Sequence, residues 1–305
     1  MNRSSQGSAL RILFFGSFGP FSLIALEELL AAGHEVLGVF ITSSHQPALQ
    51  ALQPNDIPKL RGVHSIVGLA WQHGIPAWSI SDTKDPELHN VLRELRADIG
   101  CVASFDQRIP RNLLTSLPYG FVNLHPSLLP AFRGPAPLFW VMREGGSAAG
   151  ITTHLMNDKL DHGPILLQKP LRFEIGISGN ELSRLCAREG GKLLVETLHG
   201  LASGQIEAQP QIGESSYAPK PQASDFALDL NWSAERAFCF MRGSSEWQQP
   251  YLLTIGNEQF WLSHAFEYDP SAQLDKPFQS VEERFAFRFA QGVLWARVRA
   301  RKIVR

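Results

Sequence analysis

The stretch that decides the fold is residues 121–133, FVNLHPSLLPAFR, with a second stretch, GITTHLMNDKLDHGPIL, at residues 150–166. The first stretch begins as an apolar run and breaks at Pro126, which predicts a strand ending in a proline-bounded loop. Side chains two apart on a strand share a face, so Asn123 and His125 project together from its end. Loops at strand ends are where α/β proteins place their chemistry, and we expect a functional site here.

Apolar runs alternate with helical patterns on both sides of this stretch. We expect strands at residues 10–15, 35–41, 98–103, 120–124, 151–156 and 164–173. We expect helices at residues 21–32, 65–73, 86–95, 135–144 and 178–201, and a loop at residues 46–61. Because strands and helices alternate, the predicted fold class is α/β, with a doubly wound, mostly parallel sheet.

The pattern changes near residue 205. Residues 206–222 are predicted to be a linker between a first domain at 1–205 and a second at 223–305. The second domain contains short aromatic runs, which predict strands at residues 251–255, 259–264, 284–289 and 293–298. Short strands of this kind indicate a small β-barrel.

Composition limits the classes of function. The chain has 305 residues, 44% of them hydrophobic, which suffices for one large or two medium domains. A net charge of −1 gives no overall basic field that would attract nucleic acid. The three cysteines are far apart and odd in number, which disfavours a disulfide framework. With no signal-peptide pattern and no membrane-length apolar run, we expect a cytoplasmic protein without a membrane partner.

The two stretches share a longer pattern, Asn-x-His-x-Ser-Leu-Leu-Pro-x-x-Arg-Gly, then a strand, then Asp-x-Gly. It is carried by Asn123, His125, Ser127, Leu128, Leu129, Pro130, Arg133, Gly134 and Asp161-His162-Gly163. In this the chain resembles the folate-dependent formyltransferases, which include glycinamide ribonucleotide, methionyl-tRNA and nucleotide-sugar formyltransferases. The resemblance covers about residues 10–201. Residues 223–305 are more loosely similar to the OB-like C-terminal domain of the methionyl-tRNA and sugar-amine enzymes.

The resemblance implies that 10-formyltetrahydrofolate donates a formyl group directly to an amine, without a covalent enzyme intermediate or a metal. Such a transfer forms a tetrahedral oxyanion, which needs a preorganised hydrogen-bond donor, and it also needs a general acid/base. An Asn amide and a protonated His are suitable donors, and a carboxylate beside the His raises its pKa. Asn123, His125 and Asp161 fit these roles, although only the resemblance places Asp161 near His125.

The resemblance also indicates where the folate binds. In relatives, the segment that matches residues 104–109 lines the pterin pocket, mainly through its backbone. We expect donor contacts from this segment and from the proline loop: Phe105, Gln107, Arg108, Ile109, Leu128 and Pro130. The alternative for Arg108 is a surface side chain on a strand-to-helix connection.

Each site residue has a second interpretation. Asn123 and Asp161 are also typical turn residues, and His125 a structural histidine at a strand end. His154, seven residues before Asp161, either supports the site or is a hydrogen-bonded sheet residue. Arg133 either meets an acidic part of a substrate or braces its own loop.

The histidines and carboxylates near residue 161 also raise the possibility of a metal site. Their spacing matches no compact helix or Cys/His signature, so no metal is predicted. His162 is expected to be a solvated turn residue. The residues considered are His154, Asp158, Asp161 and His162.

The sequence leaves the amine acceptor open. Methionyl-tRNA formyltransferases usually carry a basic loop after the second strand, whereas residues 45–61 here hold only Lys59 and Arg61, with Asp56. Because affinity for nucleic acid depends on such charges, we favour a small amine, such as a nucleotide-linked amino sugar or biosynthetic intermediate. The basic residues between 297 and 305 are either a phosphate-binding stripe or a solvated strand edge, and we slightly favour the edge. The aromatic run at 137–140 either shapes a small-molecule pocket or lies in the core. The alternative is methionyl-tRNA formylation, and a formyltetrahydrofolate hydrolase is a weaker third reading.

Overall fold

The computed structural model describes residues 10–44, 47–54, 64–146, 149–281 and 284–304. Its larger sheet has eight strands in the order β3-β4-β2-β1-β5-β6-β7-β8. These strands are β1 (Arg11–Gly16), β2 (Glu35–Thr42), β3 (Leu49–Leu52), β4 (Ala77–Ile80), β5 (Ile99–Ala103), β6 (Phe121–His125), β7 (Gly150–Leu155) and β8 (Ile165–Pro170). Strands β4, β2, β1, β5 and β6 are mutually parallel, while β3, β7 and β8 run antiparallel to their neighbours. The mostly parallel sheet is therefore confirmed.

The helices are α1 (Pro20–Ala31), α2 (Ile66–Gln72), α3 (Pro86–Leu95), α4 (Arg111–Leu114), α5 (Pro137–Arg143), α6 (Gly179–Ala202) and α7 (Ala234–Gly243). Their starts follow from local capping. The Ser65 hydroxyl accepts from the Gly68 N–H, and the Asp85 carboxylate accepts from the Glu87 N–H. Ser178 and Glu181 form a reciprocal capping box at the start of α6.

Two short strands at the edge of the sheet differ from the sequence prediction. Residues 46–61 were expected to be a loop, yet Leu49–Leu52 forms β3, which pairs antiparallel with β4. Strand β4 itself was not predicted. Each has only four residues, too few for an alternating pattern to stand out from the surrounding turn residues. The part of this loop at residues 55–61, with Lys59 and Arg61, lies outside the described residues.

Aromatic packing beneath the sheet fixes the strand that carries the motif. Phe15 stacks on Phe40 with ring centroids 4.7 Å apart, and it also contacts Phe121 at the start of β6 at 5.5 Å. A Cβ at Gly100 would lie 2.3 Å from the Phe121 ring, so only glycine allows this approach of β5 and β6. Burying each of these rings stabilises the fold by roughly 1.5–3 kcal/mol.

The smaller sheet has six strands in the order β12-β13-β14-β11-β10-β9. They are β9 (Ala227–Leu228), β10 (Tyr251–Ile255), β11 (Glu258–Asp269), β12 (Phe278–Val281), β13 (Arg284–Arg288) and β14 (Val293–Ile303). All its pairs are antiparallel except β9 with β10. The prediction of a small C-terminal β domain is confirmed.

The chain divides into two compact units. The first contains residues 1–134, 150–171 and 183–217, and the second contains residues 135–149, 172–182 and 218–305. In the second unit Phe139 of α5 is buried, with its ring 5.1 Å from Phe226 and 5.4 Å from Phe240. The aromatic run at 137–140 therefore contributes to a core. The predicted boundaries at residues 205 and 222 stay a prediction.

Candidate active site

Strand register brings the motif residues together at the end of strand β6. Parallel pairing of β5 with β6 sets Val102 beside Asn123, which places residues 104–109 next to the end of β6. Antiparallel pairing of β6 with β7 sets His154 opposite Asn123 and Thr152 opposite His125. The chain proceeds to β2 on one side of β1 and to β5 on the other, so the switch point where open α/β sheets bind ligands lies between β1 and β5. Residues 104–109 follow β5 and so border this switch point, and β6 is the next strand of the sheet.

Four polar side chains meet at this end of β6. The His125 Nδ1 atom lies 3.7 Å from Asp161 Oδ2, and the His154 Nε2 atom lies 3.5 Å from Asp161 Oδ1. The Asn123 Nδ2 atom lies 3.3 Å from Asp161 Oδ1 and 3.1 Å from His154 Nε2. The two histidines and Asp161 are buried. The three residues predicted to be catalytic are thus in contact, and His154 joins them.

Backbone carbonyls determine which ring nitrogens carry protons. His125 Nε2 is 2.8 Å from the Phe132 carbonyl oxygen, which only accepts, so Nε2 carries a hydrogen and Nδ1 is the site for a further proton. His154 Nδ1 is likewise 2.9 Å from the Leu155 carbonyl oxygen. In the neutral ring, His154 Nε2 therefore accepts a hydrogen bond from Asn123.

Asp161 is held in an unusual backbone conformation. Its φ of +55° lies in the left-handed region, which Asp and Asn tolerate better than most residues. Its Oδ2 atom accepts a hydrogen bond of 2.8 Å from the Gly134 N–H. Burial alone raises the pKa of Asp161, but His154, His125 and the Gly134 N–H outweigh burial and hold it at about 2. Asp161 is therefore ionised throughout the physiological range.

The pKa of His125 differs from the sequence expectation. A neighbouring carboxylate was expected to raise it. Burial lowers the pKa of His125 more than Asp161 and the Phe132 carbonyl raise it, and His154 lowers it further, so the net shift is downward. At neutral pH the ring is thus mainly the neutral base, with Nδ1 turned toward the carboxylate.

Two segments were expected to bind folate, residues 104–109 and the proline loop, and in the sequence they lie on either side of Asn123 and His125. Ile109 is buried in the core, while Phe105 packs edge-on against Phe15. The Gln107 amide donates to the Ile80 carbonyl, and the Arg108 guanidinium donates to the Asp158 carbonyl. Arg108 thus makes a surface contact within the chain, which fits its alternative interpretation.

In the proline loop, the side chain of Leu128 packs over Gly150. Pro130 follows a cis peptide bond and is half-buried. The Ser127 hydroxyl donates to the Ala131 carbonyl and so shapes the loop itself. Donor contacts by these residues stay a prediction.

Two residues of the predicted linker contact the loops of the site, a role that the sequence did not predict. The Gln211 side chain contacts Arg133 and the turn at Asp161, and Ser216 accepts hydrogen bonds from the N–H groups of Phe132 and Arg133. A glutamine in a Pro- and Gly-rich segment gives no sequence signal for such a role. Arg133 therefore braces its own loop.

The remaining polar residues of the turn play no part in the cluster. His162 is exposed, and its Nδ1 atom donates to the Leu160 carbonyl, as expected of a solvated turn residue. Asp158 is exposed as well. Among the described residues, no group of three or more His, Cys, Asp or Glu side chains could hold a metal ion. No helix in the described ranges is long and apolar enough to cross a membrane.

Comparison with known proteins identifies a family for this chain. A family model described as "Formyl transferase" matches residues 10–198, which include all four polar residues of the cluster. The chain belongs to the formyl transferase family. Members of this family are enzymes that transfer formyl groups, so this formyltransferase carries its polar cluster in the part of the chain that the family shares.

Individual relatives extend the similarity beyond residue 198. The formyltransferase is 34% identical over 280 residues to the methionyl-tRNA formyltransferase of Thermosynechococcus vestitus, covering 89% of this chain and 79% of that protein. Its fold is similar to that of an N-formyltransferase from Helicobacter canadensis solved with folinic acid and dTDP-3-aminofucose. That match has a TM-score of 0.65 at 16% identity and covers 94% of this chain and 98% of the other. A glycinamide ribonucleotide transformylase from Symbiobacterium toebii matches 68% of this chain and 98% of its own, with a TM-score of 0.53 at 24% identity.

Proposed function

We propose that this formyltransferase moves a formyl group from 10-formyltetrahydrofolate directly to a primary amine. The observation that carries the proposal is the contact of Asn123, His125 and Asp161 at the end of β6. It combines an amide donor, a neutral imidazole and a carboxylate held ionised. These are the groups that attack on a formyl carbon requires.

His125 is the proposed general base. The amine loses a proton as its nitrogen bonds to the formyl carbon, and Nδ1 of His125 takes up this proton. The resulting imidazolium is stabilised by Asp161, whose Oδ2 atom is 3.7 Å away. His125 then returns the proton to the folate nitrogen as its bond to the formyl carbon breaks, so no net proton remains on the enzyme.

Asn123 is the proposed donor to the formyl oxygen as negative charge develops on it. Both Nδ2 hydrogens already have acceptors, His154 at 3.1 Å and Asp161 at 3.3 Å. The contact with Asp161 is the longer, so the formyl oxygen takes the place of that carboxylate oxygen. A donor of this kind typically accounts for about 10²–10³-fold in rate.

The backbone of residues 105–107 fits the edge of a folate ring. In the described part of the chain, the N–H and C=O groups of these three residues have no hydrogen-bond partner. Main-chain groups left unpaired at the rim of a site are suited to a ligand with alternating donors and acceptors, such as a pterin. The proposed contacts of Leu128 and Pro130 lie on the next loop.

We propose a small-molecule amine as the acceptor. The low charge of residues 45–61 supports this choice. The arginines of β14 also support it, because two of the exposed ones already have partners. Arg301 pairs with Glu258, and the guanidinium of Arg297 lies 5.6 Å from the ring centroid of Phe266.

Methionyl-tRNA is the second candidate acceptor, favoured by the 34% identity to the Thermosynechococcus vestitus enzyme. Arg299 and Lys302 are exposed on β14 and would contribute to contacts with phosphates. If this acceptor is correct, raising the salt concentration will weaken binding steeply, since each phosphate contact releases counterions.

A donor-turnover assay tests the proposal. The protein is incubated with 10-formyltetrahydrofolate, and tetrahydrofolate release is followed with charged initiator methionyl-tRNA, with a panel of nucleotide-linked amino sugars, and with water alone. Turnover that requires an amino sugar and is lost in Asn123→Ala is the expected result. Turnover on the tRNA would replace the proposed acceptor. If tetrahydrofolate is released at the same rate with water alone as with an acceptor, the protein is instead a hydrolase.

A further inference from the structure

The side chain of Gln211 connects the two loops of the site. Its Oε1 atom accepts from Arg133 Nε at 3.0 Å and from Nη2 at 2.6 Å. Its Nε2 atom donates to the carbonyls of Asp161 at 2.8 Å and Gly163 at 2.7 Å. Both ends of one amide are therefore satisfied, one by a guanidinium and the other by two main-chain oxygens.

Each partner of Gln211 belongs to a segment that holds a reacting group. Arg133 follows Phe132, whose carbonyl fixes the ring of His125. The other two partners are carbonyls of the turn that carries Asp161 in its left-handed conformation. Gln211 thus spans from the loop that holds the imidazole to the turn that holds the carboxylate.

The main chain around Gln211 is held independently of its side chain. Gln209 exchanges two backbone hydrogen bonds with Ile165, at 2.7 and 2.8 Å. The Ser216 carbonyl and hydroxyl accept from Arg133 and Phe132 at 3.0 and 2.8 Å. Loss of the Gln211 amide therefore leaves the segment in place and removes only its contacts.

We propose that Gln211 is a positioning residue that sets the spacing between His125 and Asp161 and so controls proton transfer. This inference rests on the proposed function. Gln211 lies beyond residue 198, where the match to the family model ends. Since His125 faces Asp161 at 3.7 Å and the ring of His154 at 6.5 Å between centroids, small shifts of the turn change its surroundings.

Two substitutions separate positioning from general stability. Gln211→Glu keeps an acceptor for Arg133 but sets an oxygen against the two carbonyls, whereas Gln211→Ala removes all of these contacts. Gln209→Glu is the matched control, because it makes the same change nearby on an exposed side chain whose amide reaches only the Glu207 carbonyl, at 3.5 Å. We expect kcat to fall at least about tenfold in both Gln211 variants with KM for the folate nearly unchanged, and no change in Gln209→Glu.

The titration of His125, followed by NMR of its imidazole carbons, provides a readout independent of turnover. In Gln211→Ala the carboxylate is no longer held toward the ring, so the pKa of His125 should fall further below that of the wild type. Unchanged kcat and unchanged His125 titration in folded Gln211 variants would overturn the inference. If the alanine variant does not fold, Gln211→Glu still tests it. Wild-type protein without formyl transfer would refute the proposed function instead, and the NMR titration would still decide the role of Gln211.

Discussion

Two pairs of histidines in the first compact unit have similar burial but different surroundings. His34 is 6% exposed and His125 is 4% exposed. Burial lowers the pKa of each, and in each case a second histidine, His199 or His154, lowers it further. Yet neither ring nitrogen of His34 has a hydrogen-bond partner among the described residues, while both nitrogens of His125 face polar atoms.

The comparison shows that burial and a shifted pKa do not by themselves identify a catalytic histidine. His34 contacts His199 by ring packing, with centroids 5.0 Å apart, and no carboxylate is bound to either ring in the described structure. His125 has Asp161 to stabilise its charged form and the Phe132 carbonyl to fix its tautomer. The partners of the ring, rather than its depth, give it the ability to move a proton.

The same substitution at both positions should separate them most strongly. We expect His125→Leu to lower kcat by about 10³-fold, since the general base is lost. His34→Leu should leave kcat within about twofold of the wild type, because His34 contacts no reacting group. Formyl transfer by the two purified variants, checked for folding by circular dichroism, measures the difference. Equal losses would remove the distinction between the two pairs.

Removing the charge of the carboxylate should have the next largest effect. Asp161→Asn suits the φ of +55° and keeps an oxygen for the Gly134 N–H, so the turn should stay intact. We expect kcat to fall by about 10²-fold, because a protonated His125 would lose its counter-charge. Steady-state kinetics with saturating folate provide the measurement. A folded variant with normal kcat would show that the carboxylate is only structural.

The acidic limb of the pH profile should report the titration of His125. Because the pKa of His125 lies below the ordinary histidine value and the neutral ring is the base, kcat/KM should stay level through about pH 6.5 and fall, about tenfold per pH unit, only at lower pH. His34→Leu should leave this acidic limb in place. In Asp161→Asn the limb should move to lower pH, since Asp161 raises the pKa of His125. An acidic limb well above pH 6.5 would contradict the assignment.

The free energy of unfolding should change in opposite directions in His34→Leu and His125→Leu, and these are the smallest effects that we expect. His34→Leu removes two unpaired buried nitrogens and should raise the free energy of unfolding by about 1 kcal/mol. His125→Leu leaves the Phe132 carbonyl unpaired and should lower it by about 1–3 kcal/mol. Because the pKa of His34 is lowered in the folded state, the unfolded state binds the proton more tightly, and the folded protein loses stability as pH falls below about 6.5. The stability gained in His34→Leu should therefore grow toward pH 5. Urea unfolding at pH 7.5 and pH 5 measures both, and a destabilised His34→Leu variant would contradict this prediction.

Much of the site could be predicted because it is local in the sequence. Asn123 and His125 share one strand end, and that placement follows from the period of the strand. The contact with Asp161 came from the family resemblance, since no periodicity links residues 36 positions apart. The parts that were missed are backbone groups, such as the Gly134 N–H and the Phe132 carbonyl, whose directions depend on the path of the loop. Phe132 has a positive φ of 58°, which a phenylalanine in the sequence does not predict. Gln211 was missed because its contacts arise only when distant segments fold together.

The second compact unit is interleaved with the first along the chain rather than appended to it. It takes α5 from residues 135–149, a short piece from residues 172–182, and everything after residue 218. A fragment that starts at residue 223 therefore carries Phe226 and Phe240 without Phe139, which packs against both. Gene fusion or domain exchange at a single junction would leave this aromatic core incomplete. A functional exchange of this unit therefore requires all three of its segments to be replaced together.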